Sequence, residues 1–152
     1  MENNTTLQYL HKLKDMCETI EDGIKYQIFY QTCKRFNDYK RGVAPSKNIS
    51  KKELMEILIN KGYMNYRLDE TTGQYTKLPD DRGVRKAIRE LLTMGFPIIT
   101  TSHDSGCFIV ENVNEIDKPQ KENHARAVSI LAVDKGYNLV RDLLSGQQKF
   151  LP

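Results

Sequence analysis

Four cations, Arg82, Arg85, Lys86 and Arg89, stand at i, i+3, i+4 and i+7. On a helix that spacing gathers them on one face. Clustered guanidinium and ammonium groups suit an anionic surface, because arginine grips phosphates and base edges through a planar fork of donors. In the same segment Val84, Ile88, Leu91 and Leu92 fall at i, i+4, i+7 and i+8, which predicts an apolar stripe on the other side. The segment therefore reads as a helix that packs with one face and offers cations with the other. Asp80 or Asp81 caps it just after Pro79, and Gly95 ends it.

Such a helix needs other elements to hold it in place. Upstream, Thr5 or Thr6 caps a first helix that carries Leu7, Leu10, Leu13, Cys17 and Ile20 at helical spacing. Glu21-Asp22-Gly23 breaks or bends it, and Ile24, Ile28, Phe29, Phe36 with Tyr26, Tyr30 and Tyr39 carry a second stretch to about Lys40. The Gly, Pro, Ser and Asn content of 41–48 predicts a loop. Ser50 with Glu53 then forms a capping box, with Ile49 as the hydrophobic staple, and Leu54, Ile57 and Leu58 give the short helix its buried stripe. Within 61–80, the run Asp69 to Gly73 between two tyrosine-containing arms reads as a small hairpin turn.

Downstream of the basic segment, Ile98–Thr101 and Cys107–Val110 are rich in β-branched and aromatic residues and read as strands. Residues 102–106 form the tip between them. Pro119 precedes a last helix, about Lys121 to Ser145, with a stripe of Val128, Leu131, Leu139, Val140, Leu143 and Leu144 that Gly136 interrupts. The tail 146–152 is expected to fray.

Composition excludes several classes. The chain of 152 residues has a net charge of +3, too weak alone to imply nucleic acid. Distribution says more: residues 34–52 hold seven Lys or Arg against Asp38 alone, while the first 22 residues lean acidic. Cys17, Cys33 and Cys107 lie far apart in no CxxC pair, so they read as free thiols in a reducing cytoplasm rather than a disulfide or zinc framework. The polar start resembles no signal peptide and no window is apolar enough for a membrane span. The expected location is cytoplasmic. His11, His103 and His124 show no metal-ligand spacing, and there is neither a Walker loop nor a GxGxxG run. His103-Asp104-Ser105 are adjacent on one turn and cannot converge as a hydrolase triad, which needs separate segments. The sequence predicts a non-enzyme without metal or cofactor.

The order helix, short helix, connection, basic helix, hairpin resembles the winged helix-turn-helix fold. Residues 81–110 look like the small winged-helix modules of phage and prophage proteins, distantly similar to the DNA-binding end of biotin-repressor-like regulators. The matching residues are Arg82, Val84, Arg85, Ile88, Leu91, Gly95, Pro97, Ile98, Gly106 and Phe108. Two features depart from that pattern. A segment of about 20 residues separates the second helix from the basic one, and Cys107 follows the wing glycine with the aromatic one step later.

The resemblance implies an α+β, mostly helical fold: a winged-helix domain at 43–118, an N-terminal helical extension at 1–42, and a C-terminal helix and tail at 119–152. It implies double-stranded DNA as partner, in transcription regulation or replication initiation. Arg82, Arg85, Lys86 and Arg89 would enter the major groove, with Lys51 and Lys52 beside them and Thr101, Ser102 and His103 of the wing tip on the backbone. The alternative is a protein-interaction module on the same fold that docks on a host nucleic-acid-handling or defence protein. The tyrosines serve helix packing or, in a single-strand binder, base stacking. The surplus terminal helices either pair across a dimer two-fold or cover the core of one subunit.

Overall fold

The structure, a computed structural model, describes residues 4–100 and 106–150. Among them the chain is α+β and mostly helical, with five helices and two antiparallel hairpins. It divides into two compact units, one up to Val110 and one from Glu111.

In the first unit, α1 (Asn4–Glu18) and α2 (Gly23–Lys40) are separate helices. The Asp22 carboxylate accepts the Lys25 N–H at 2.9 Å, so Asp22 starts a new helix rather than bending the old one. Thr5 and Thr6 lie inside α1 and do not cap it, and Leu7 is exposed, while Leu13 and Cys17 are buried. The Tyr9 hydroxyl donates to the Val110 carbonyl, which ties α1 to the far end of the unit.

Helix α3 (Lys51–Asn60) begins where the capping pattern predicts, with Ser50 Oγ accepting the Glu53 N–H at 3.2 Å. The Glu53 carboxylate pairs with Arg35 of α2, which also donates to the Asn48 carbonyl at 3.2 Å. Arg35 thereby clamps the 46–50 loop onto α2. Ile49, fully buried, exchanges backbone hydrogen bonds of 2.9 and 3.0 Å with Cys107. Next come β1 (Arg67–Asp69) and β2 (Gln74–Lys77), an antiparallel hairpin turning at Gly73. Gly73 has φ +70°, a backbone that side chains disfavour.

Helix α4 (Arg82–Thr93) buries Val84, Ala87, Ile88 and Leu91. Leu92, predicted on that stripe, is 48% exposed. One residue beyond Leu91 is a rotation of about 100°, which carries it off the packed face, and Ala87 takes the place between Val84 and Leu91. Gly95, at φ +93°, closes the helix while the Phe96 N–H returns to Leu91. Strands β3 (Ile98–Thr100) and β4 (Cys107–Ile109) follow at once, with Ile98 opposite Ile109 and Thr100 opposite Cys107. One apolar core, including Phe29, Phe36, Ile49, Leu58, Ile88, Leu91, Phe96 and Ile98, joins all these elements except the β1–β2 hairpin.

The second unit contains one helix, α5 (Asn114–Phe150), longer than the sequence predicts. Pro119 lies inside it, in the second turn, rather than before it. The helix starts earlier because the Glu115 carboxylate accepts the N–H groups of Glu111 at 2.9 Å and Asn112 at 3.3 Å. Glu115 and Asp117 also place acid in the first turn, where the helix dipole favours it. Gly136 does not interrupt the helix, whose backbone continues through Gly146 to Phe150 rather than ending near Ser145.

Candidate nucleic-acid interface

Because Val84, Ala87, Ile88 and Leu91 are locked into the core, the opposite side of α4 faces outward. Arg82, Arg85, Lys86 and Arg89 are all exposed on it. Each of the first three has a carboxylate neighbour. Arg82 Nε meets Asp80 at 3.0 Å, Arg85 Nε meets Asp81 at 3.3 Å, and Lys86 Nζ lies 3.9 Å from Glu90. The cationic side chains remain 84%, 51% and 75% exposed. Ion pairs this wet contribute at most about 1 kcal/mol, so an incoming phosphate can displace them. Among the described residues no ion pair holds Arg89.

Asp81 has a second role. Its carboxylate also takes Lys51 Nζ at 3.4 Å, so Lys51 at the start of α3 and Arg85 on α4 share one anion. This brings the predicted flanking lysine to the predicted helix face, and exposed Lys52 stands beside Lys51. Thr101, Ser102 and His103 lie outside the described residues. Thr100, at the end of β3, is exposed.

The start of α4 differs from a phosphate seat. Asp80 Oδ1 accepts the Arg82 N–H at 2.9 Å, and Asp81 adds a second carboxylate at the same terminus. These two acids oppose an anion at the helix N-terminus. The cationic character therefore concentrates one to two turns on, at Arg85, Lys86 and Arg89. Asp81 makes no side-chain cap hydrogen bond. Asp81→Asn removes the anion that Lys51 and Arg85 share, so were this face to take a duplex, the substitution would tighten that binding several-fold, as read by fluorescence anisotropy; weaker binding contradicts the arrangement.

Sequence reading missed Arg67 and Lys77. They sit directly opposite each other across the β1–β2 hairpin, both exposed. Like charges in facing strand positions repel, and an anion between them relieves that repulsion. The signal was present, since the two cations flank the Asp69–Gly73 turn on either side, but it needed the strand register to become visible.

Glu90 also anchors α4 from behind. Lys25 of α2 reaches it at 2.6 Å. This hydrogen bond holds the Glu90 carboxyl below its ordinary value and raises Lys25 above its own, with Lys86 assisting and Asp22 opposing at Glu90. For Glu90 the folded pKa is the lower one, so its contribution is complete above about pH 4.5 and disappears as pH falls through the folded value. For Lys25 the folded pKa is the higher one, so the contribution holds below about pH 10.5 and fades above the folded value. Thermal melts between pH 3 and 7, taken in that acid window, are expected to show a shallower acid limb for Glu90→Gln than for wild type. Identical limbs contradict the link.

Burial pushes the Cys33 thiol far above its ordinary value, and burial together with Glu18 raises Cys17. Neither is an activated nucleophile. The described residues include no cluster of His, Cys, Asp and Glu fit for a metal and no helix long and apolar enough to cross a membrane. Comparisons of the chain with protein-family models, curated proteins and solved structures found no match.

Proposed function

We propose that the chain up to Val110 is a winged helix-turn-helix module of phage or prophage type that binds double-stranded DNA, in transcriptional control or replication initiation. The observation that carries this reading is the two-sided α4, with its apolar side sealed in the core and its arginines exposed beside the β3–β4 hairpin. Supporting it, Ile49, just before α3, pairs with Cys107 of β4 and so adds a third short strand segment to the hairpin. The order α2, strand segment, α3, α4, hairpin is that of a winged helix. The departure is the β1–β2 hairpin, which fills the place of the usual short turn between α3 and α4. In this reading α4 enters the major groove and the β3–β4 hairpin lies along the backbone.

Binding of random duplex at increasing salt tests the reading. Lys51, Lys52, Arg82, Arg85, Lys86 and Arg89 all neutralising phosphates would give log K against log salt a slope of about −5. Selection from a random pool is then expected to enrich a preferred sequence, because arginines on a groove-facing helix read guanine edges. Salt-independent binding contradicts the proposal. Absence of any duplex shift, with a host protein co-purifying, replaces it by protein recognition on the same face.

A further inference from the structure

Unit two is one helix, so it buries no core of its own, yet α5 is rich in large apolar side chains. Ile130, Val133, Tyr137, Val140 and Leu144 repeat at alternating intervals of three and four, each more than half exposed. That is the a/d spacing of a helix seam. A parallel row through Val128, Leu139 and Leu143 is broken by Lys135 and Asp142, so the first row is the uninterrupted one. We infer that α5 pairs antiparallel with the same helix of a second copy, along this row, about a two-fold axis between Asn138 and Leu139.

Charge selects both the occupant and the direction. The positions that follow Val133 and Val140 are Asp134 and Arg141, and they line one edge of the seam two turns apart. Among the described residues no ion pair holds either of them. In an antiparallel pair these edges face each other, and edge charges set partner and orientation. With Val133 packed against the partner's Leu144 and Tyr137 against the partner's Val140, Asp134 comes opposite the partner's Arg141. The two-fold axis repeats that pair. In a parallel pair the facing edge positions are Ser129 and Gly136, and both charges lack a counterion.

Gly136 supports the same register. A glycine inside an exposed helix weakens it relative to alanine, and, its own helix backbone and chain neighbours aside, nothing among the described residues lies within 4 Å of where its Cβ would be. Across the antiparallel seam it faces the partner's Leu143, where a missing side chain makes room. This pairing is independent of the DNA reading and stands or falls without it.

Sedimentation equilibrium of the full chain tests it, with the melting temperature of the first unit as the control for folding. Wild type is expected to be a dimer. Asp134→Arg and Arg141→Asp each place two like-charge pairs across the seam, weakening association about tenfold. The double variant D134R/R141D restores the wild-type affinity, because it exchanges the members of each pair. Tyr137→Asp is expected to give monomer. A monomeric wild type overturns the proposal, and so does a dimer that survives Tyr137→Asp. Single reversals without effect, or a double variant that fails to restore association, overturn the antiparallel register.

Discussion

Replacing Arg85 and Arg89 together by glutamate is expected to reduce duplex affinity at least a hundredfold while leaving the thermal melt of the first unit within about 1 kcal/mol of wild type. A lost phosphate or base contact from a recognition helix costs about 1–3 kcal/mol, and reversal adds repulsion from the polyanion. Two such losses multiply when the residues act independently. Stability is largely spared because both side chains are exposed and, among the described residues, the one ion pair given up is that of Arg85 with Asp81, whose carboxylate keeps Lys51. The salt slope is expected to become shallower by about 2. Within the pair, Arg89→Glu alone is the sharper probe, since no ion pair among the described residues holds that side chain. Near wild-type affinity in the double variant removes DNA binding by this face.

Phe29→Ala is expected to produce the largest loss of stability, about 3–5 kcal/mol. Phe29 is fully buried on α2 and meets Phe96 edge to face, with ring centroids 5.1 Å apart at 79°. Phe96 stands at the turn between Gly95 and Pro97 that links α4 to β3. The aromatic pair thus connects the scaffold to the junction that sets the basic helix against its hairpin. For a domain whose whole stability is about 5–15 kcal/mol, such a loss lowers the melting midpoint by roughly 15–30 °C. Calorimetry of the first unit's transition measures it, and a loss under about 1 kcal/mol would mean that the site can collapse around the missing ring.

Much of this arrangement was legible in the sequence, in proportion to how local its causes are. The Ser50 cap, the end of α4 at Gly95 and the β3–β4 hairpin depend on residues within a few positions of one another, and all stand where predicted. The buried side of α4 was read well except at one place, where the pattern favoured bulky Leu92 and overlooked Ala87. Geometry chose the alanine because it lies between Val84 and Leu91 on the wheel. Pro119 misled through a general rule: proline ends most helices, but Glu115 and the acidic first turn start α5 ahead of it.

The remainder was hidden because it depends on partners distant in the chain. Arg35 sits in a basic run yet clamps Asn48 and Glu53. The capping aspartate stands where predicted, with Asp81 at the N-cap position and the Asp80 carboxylate accepting the Arg82 N–H. The sequence does not show that Asp81 joins Lys51 to Arg85 or that the two acids oppose a phosphate at the helix start. Arg67 and Lys77 became a pair only through the register of β1 and β2.

The most direct test of the central claim is a backbone amide NMR titration of the protein with a short duplex at low salt. The outward face of α4 predicts the largest shift changes at Arg85, Lys86 and Arg89, with Lys51 and Lys52 following and the residues of α1 unmoved. Changes centred on α1 or α5, or none at saturating duplex, contradict it.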